Sequence, residues 1–142
     1  MSERKRIPIG VNAIVVRDGM ILLGERFNCF GAGTWGLPGG HLEDRESMID
    51  AVARELLEET GIVASGFTFS NIVNCRNNDV DNEHYLQVAF VADGFNGEAR
   101  LCEPNRCKRW EWHDLNSLPD NIFFAHADQI DLYRNSERFI DN

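Results

Sequence analysis

Nowhere does this 142-residue chain hold a run approaching the ~18 apolar residues that a membrane helix needs. The N-terminal MSERKRIPIG is basic, but no apolar stretch of signal-peptide length follows it, so neither a membrane span nor a secretory leader is expected. Positive charge is scarce as well: 14 lysines and arginines face 23 aspartates and glutamates, a formal net charge of -9. Such a balance repels a long nucleic-acid backbone, and stable DNA or RNA binding is not expected. Only four cysteines occur, and Cys102 and Cys107 in the CEPNRC segment lack a second Cys or His pair at zinc spacing. They read as reduced thiols of a cytoplasmic protein. Repeats and low-complexity segments are absent too. What remains is ordinary, with 43% hydrophobic and 26% charged residues, and the length suits one domain spanning residues 1–142.

Apolar residues alternate at Ile7, Ile9, Val11, Ala13 and Val15, and Arg17-Asp18-Gly19 supplies turn chemistry before Met20 to Leu23. A hairpin, or two strands of one sheet, is expected there. From Arg26 to Gly40 five glycines and Pro38 predict a loop whose backbone passes close to a ligand, anchored by Trp35 and Leu37. Ile49, Val52, Ala53, Leu56 and Leu57 then recur at helical spacing between Ser47 and Thr60, with Gly61 placed to end the helix. Strands follow at Phe67 to Cys75 and His84 to Ala92, around a polar turn from Asn77 to Asn82. A short strand at Arg109 to Trp112, a turn at Leu118-Pro119-Asp120, and a second helix from Ile122 to Tyr133 complete the chain. The second helix is expected to bury Ile122, Phe123, Ile130 and Leu132. Strands on both sides of a central helix predict an α/β layered domain, a mixed sheet between helices.

The densest information lies in GHLEDRESMIDAVARELLEETGI, residues 40–62. Gly40, Glu46, Arg54, Glu55, Leu56, Glu58, Glu59, Gly61 and Ile62 satisfy the pattern G-x5-E-x7-R-E-U-x-E-E-x-G-U, with U aliphatic. At ordinary residue frequencies the fixed letters meet by accident with a probability on the order of one in a million. On a helix, Glu55, Glu58 and Glu59 share a face, a patch spanning ~100° of arc. The apolar stripe through Ile49, Val52 and Leu56 is centred about a third of a turn away. One flank can be buried while the acidic flank stays open to cations. A merely solvated acidic face would have no reason to require Gly40, Glu46, Arg54 and Gly61 as well. Cleavage of a phosphoanhydride needs charge neutralised on phosphate oxygens and a water activated in line, and carboxylate-held Mg²⁺ answers both needs. It also lets an acidic protein take an anionic substrate.

This pattern resembles the signature of the Nudix hydrolases. GAGTWGLPGGHLE from Gly31 to Glu43, the strand with His84-Tyr85, and Trp110-Glu111-Trp112 extend the likeness toward the MutT-related nucleoside triphosphate diphosphatases. The resemblance implies a Nudix-type α/β/α sandwich with a mixed β-sheet. It also implies metal held by Glu55, Glu58 and Glu59 and by the backbone carbonyl of Gly39, with Mn²⁺ a substitute for Mg²⁺. Glu55 is the first candidate for general base and Glu58 the alternative, because neighbouring carboxylates titrate as a set. Glu103 is the candidate for a further ligand from a downstream loop, with Glu98 as its rival. Arg54 and Glu46 are expected to join loop and helix by an ion pair.

A nucleotide is the implied substrate. Its base would sit near Trp35, Leu37 and Trp110, Arg26 would reach a phosphate, and His41 and His84 flank the presumed cleft. Conversion of nucleoside or deoxynucleoside triphosphates to monophosphate and pyrophosphate is the leading expectation. ADP-ribose or a nucleotide sugar is the alternative substrate, and a non-catalytic nucleotide-binding regulator the third reading. Homodimerisation is common among related enzymes, and no dimer signature is visible in these residues.

Overall fold

A computed structural model describes residues 4–78 and 82–141. Part of the basic N-terminal run and the centre of the turn expected at Asn77 to Asn82 therefore lie outside the described residues. Eleven elements follow in order: β1 (Ile9–Ile14), β2 (Val16–Arg17), β3 (Met20–Arg26), β4 (Trp35–Gly36), β5 (Gly39–His41), α1 (Met48–Thr60), β6 (Ala64–Cys75), β7 (Tyr85–Phe95), β8 (Cys107–Asp114), α2 (Phe124–Arg134) and β9 (Phe139–Asp141). One sheet is mixed, in the order β5-β1-β7-β6-β9, with β1 parallel to β7 and β9 parallel to β6. In the second sheet β3 pairs antiparallel with β2, β4 and β8.

β1 explains why two helices can sit on opposite faces. Val11, Ala13 and Val15 face α1, clustering with Ala51, Val52 and Leu56, while Ile14 turns the other way toward Leu37 and Ile130 of α2. The alternation in this segment therefore reports two buried faces instead of one wet and one dry. The expected hairpin shrinks accordingly. Only Val16–Arg17 pairs with Met20–Ile21 across Asp18-Gly19, whereas β1 belongs to the other sheet.

The glycine-rich segment is not wholly loop, since it contains β4 and β5. Its Gly31 and Gly33 take φ values of 81° and 89°, which favour glycine. Ser47 caps α1 by accepting the Asp50 N–H at 3.1 Å, and Gly61, at φ 76°, closes it by donating to the Leu57 carbonyl. The helix packs on β5 and β1, the edge of the sheet, so it buries only Ala51, Val52, Leu56 and Thr60. Ile49, expected in the apolar stripe, and Leu57, which shares the helical spacing, are 42% and 51% exposed. Full burial of Leu56 alone stabilises by roughly 1.5–3 kcal/mol.

α2 starts at Phe124, two residues later than expected, because Ile122 bridges Trp35 in extended form. It buries polar His126 and Gln129 beside Ala125, Ile130 and Leu132. β9, which nothing in the local pattern announced, adds a parallel edge to β6.

Candidate functional site

A cavity of about 470 Å³ opens between the N-terminal end of α2, the face of β1, β5 and β7, and the acidic flank of α1. Of the residues singled out in the sequence, Arg26, Leu37, Gly39, His41, Glu55, Glu59, Glu103 and Trp110 line it. Glu98 does not compete with Glu103 for this place, because its carboxylate pairs with Arg17 at 2.7 Å on the exposed surface.

The acidic end is built by α1 and β5. Gly40 sits so close to Glu55 that any side chain there would overlap the carboxylate. Arg54 Nη1 donates to Glu55 at 2.8 Å, and Gly39 N–H donates to Glu59 at 3.3 Å. Burial pushes both acids above the ordinary carboxylate range. Arg54 opposes the shift of Glu55, while the charges of Glu55 and Glu103 add to that of Glu59. Arg54 itself binds Glu46 at 2.8 and 3.0 Å, the ion pair expected between loop and helix, and donates to the His41 carbonyl at 3.3 Å. The hydrogen bonds from Arg54 to Glu46 hold the Glu46 carboxyl below its usual value.

Glu58 is the exception among the three helix acids. It stands outside the cavity lining, half-exposed, with its carboxylate 3.5 Å from Arg54. Two further candidates are also placed elsewhere. Trp35 packs edge-on against His113, ring centroids 4.7 Å apart, because its strand β4 turns it into the α2-side core. His84 lies just before β7 and bonds the Asn74 side chain at 2.6 Å.

At the other end of the cavity stand Phe30, Tyr85 and Phe123, none of them among the sequence candidates. Phe30 stacks on Tyr85 at 6.2 Å and meets Phe123 edge-on at 5.4 Å. Arg26 joins the two ends. Its guanidinium lies 4.3 Å over the Phe123 ring and donates twice to the Phe30 carbonyl, at 2.6 and 3.1 Å. Burial lowers its pKa, offset by neighbours including Glu59, yet arginine stays charged. His126 accepts the Leu37 N–H on Nδ1 at 2.9 Å, which leaves the proton on Nε2. Burial, reinforced by Arg26, brings it down to about 3, so it is neutral. Gly36 makes room for this ring, since a Cβ there would lie 2.9 Å from Nδ1. Trp110 covers Gly24 and keeps an unpartnered indole N–H. Asn12, Gln87 and Gln129 were also invisible to motif reading, although amides set among apolar residues, Asn12 between Val11 and Ala13 and Gln87 between Leu86 and Val88, were a signal available in the sequence.

Carboxylates that burial and mutual repulsion make reluctant to ionise fit a hard divalent cation, and the donors gathered here, Glu55, Glu59, Glu103 and the Gly39 backbone, are all oxygen. Among the described residues no group of three His, Cys, Asp or Glu side chains stands close enough to hold a metal ion by itself. The rest of a coordination shell would come from water and phosphate oxygens.

The profile of the NUDIX domain matches residues 6–135. The chain is 32% identical over 125 residues to the ADP-ribose pyrophosphatase of Methanocaldococcus jannaschii, covering 88% of this chain and 72% of that protein. It is 33% identical over 113 residues to the oxidized purine nucleoside triphosphate hydrolase of Danio rerio, covering 79% and 69%. Among solved structures, the MutT NUDIX hydrolase from Burkholderia pseudomallei superimposes with a TM-score of 0.82 at 36% identity, over 90% of this chain and 98% of that one.

Proposed function

The chain belongs to the Nudix family, MutT-related hydrolases of nucleotide phosphoanhydride bonds, and on that premise we propose that it splits a nucleoside or deoxynucleoside triphosphate into monophosphate and pyrophosphate. One observation carries the reading: a single cavity joins desolvated carboxylates at one end to an aromatic group at the other, with a half-buried arginine between them. That order matches phosphates, sugar and base along one nucleotide.

Glu55, Glu59, Glu103 and the Gly39 carbonyl would hold Mg²⁺, which when bound neutralises phosphate charge and lowers the pKa of a water. Glu58 joins them only by leaving Arg54. Glu55 is the base in this reading: its raised pKa suits proton capture, and Arg54 keeps the carboxylate oriented. Arg26 presents its remaining N–H groups to a phosphate while its contact with Phe123 fixes the plane of the guanidinium. Phe30, Tyr85 and Phe123 offer faces and edges to a base. Residues 1–142 act as one catalytic domain, and a homodimer is compatible with the exposed Ile49, Leu57 and Val63.

The second reading, an ADP-ribose pyrophosphatase, is favoured by the likeness to the Methanocaldococcus protein. A panel of triphosphates, ADP-ribose and nucleotide sugars, assayed with Mg²⁺ for pyrophosphate separately from phosphate, decides between the two. Pyrophosphate from at least one triphosphate is expected. Turnover of ADP-ribose alone would replace the proposal with the second reading.

A further inference from the structure

Three amides meet at the floor of the cavity: Asn12 of β1 and Gln87 of β7 line it, and Gln129 of α2 is buried behind them. Asn12 Nδ2 donates to Gln87 Oε1 at 2.8 Å and to Gln129 Oε1 at 3.1 Å. Both N–H bonds of Asn12 are thus spent within the protein, and its Oδ1 has no partner among the described residues. Asn12 is only 3% exposed, and what it does expose borders the cavity. Gln87 lays its amide across Gly10, where any side chain would overlap it, and its Nε2 is likewise unpartnered among the described residues. Gln129 is fully buried and tied in turn by Asn71, whose Nδ2 donates to the Gln129 carbonyl at 3.0 Å.

The amide group is thereby anchored from behind and leaves one acceptor and one donor facing the cavity. Turning all three amides together exchanges the two roles and still presents one of each. Asn12 lies in a strand whose neighbours Val11, Ala13 and Ile14 are apolar and fully packed. An apolar side chain would fill the position as well, so the polar amide kept at the cavity wall is explained by a ligand contact.

Position along the cavity identifies the ligand group. Asn12 pairs with Gly39 across β1 and β5, and Gly39 holds Glu59, so Asn12 adjoins the carboxylate end. Gln87 shares a face of β7 with Tyr85, which stacks on Phe30 at the aromatic end. The amide pair therefore stands between the two. In a nucleotide the part between phosphate and base is the sugar, and a hydroxyl is the group that donates and accepts at one atom.

We propose that Asn12 and Gln87 read a sugar hydroxyl of the nucleotide, and that Gln129 is the positioning residue that keeps the Asn12 amide turned to it. The proposal rests on the nucleotide reading above but not on which bond is cleaved.

The test compares the ribo, 2′-deoxy, 3′-deoxy and 2′,3′-dideoxy forms of the best triphosphate. Loss of the hydroxyl that the pair meets is expected to lower kcat/KM by about tenfold or more, mainly through KM. In Asn12→Ala that ratio should collapse to about twofold or less, and in Gln129→Met it should take an intermediate value. The ratio of two substrates on one preparation is independent of the fraction folded, so a destabilised variant still reports. A dideoxy form as good as the ribo form in the wild-type protein, or an undiminished penalty in Asn12→Ala, would overturn the proposal. If no triphosphate is hydrolysed, calorimetric titration with AMP and 2′,3′-dideoxyadenosine monophosphate separates the two readings. A difference present in the wild-type protein and lost in Asn12→Ala upholds sugar reading while triphosphate cleavage fails, and equal binding of both by the wild-type protein refutes it.

Discussion

Glu46 and Glu59 are the same residue type, both held against α1, yet their carboxyls are displaced in opposite directions. Glu46 lies at the helix entrance and receives two hydrogen bonds from Arg54, so ionisation is favoured. Glu59 points into the cavity, where burial and the neighbouring Glu55 outweigh one long N–H contact from Gly39, so ionisation is disfavoured. Glu58 also keeps its carboxylate by Arg54, 3.5 Å away and outside the cavity lining. Acids in one motif thus split into a group whose charge is satisfied within the protein and a group whose charge awaits a ligand. Only the second stores an unfavourable interaction that a bound cation can relieve.

The sharpest way to break this division is to neutralise one member of each group. Glu59→Gln is expected to lower kcat by about 10²- to 10³-fold, the several kcal/mol of charge stabilisation that a metal ligand supports. Its melting temperature without divalent metal should not fall, since an amide replaces a desolvated acid. Glu58→Gln should cost less than about tenfold. Steady-state kinetics of the pair checks the contrast, and equal losses would show that Glu58 leaves Arg54 during turnover.

A smaller effect separates the groups by pH. With pKa values raised on folding, Glu55 and Glu59 keep protons that the unfolded chain has already released just above the usual carboxylate range. The metal-free protein therefore loses stability as pH climbs through the raised values. Melts in chelator between about pH 5 and 8 should show that decline, and a fixed Mg²⁺ concentration of about 100 times its Kd at pH 8 should add ~2.7 kcal/mol there and less at pH 5, where the ligands are more protonated. A metal-induced shift that is larger at pH 5 than at pH 8 would contradict it.

Smallest is the effect of Glu46→Gln. Because the Glu46 pKa is lowered, its contribution is present above the usual carboxylate value and fades as pH falls. A drop of at most a few degrees in melting temperature is expected at neutral pH, vanishing in acid, with kcat altered less than in Glu59→Gln.

Local chemistry made α1 legible from the chain alone. Its periodicity and closing glycine act within a few residues, and so does the acidic patch at i, i+3 and i+4. The Arg54–Glu46 pair was expected from the resemblance to the Nudix signature, and the structure joins the two across the start of α1. The second helix was read two residues too early because the extended pairing of Ile122 with Trp35 overrides a helical pattern. Trp35 looked like a base contact because loop tryptophans suit that task, and only the pairing of β4 with β3 shows that it packs on His113.

Spacing along one helix was thus enough to specify a set of acids and the phosphoanhydride chemistry they suit, because 3.6 residues per turn is a local rule. Which acids would meet a substrate, and what would meet the rest of it, depended on contacts between residues far apart in the chain. Asn12 and Gln129 are separated by 117 positions, and their hydrogen bond exists only because β1 joins the same sheet as β6, against which α2 packs. Burial, which sets both the raised carboxylate pKa values and the neutrality of His126, is likewise a property of the assembled layers, since desolvation needs walls on every side.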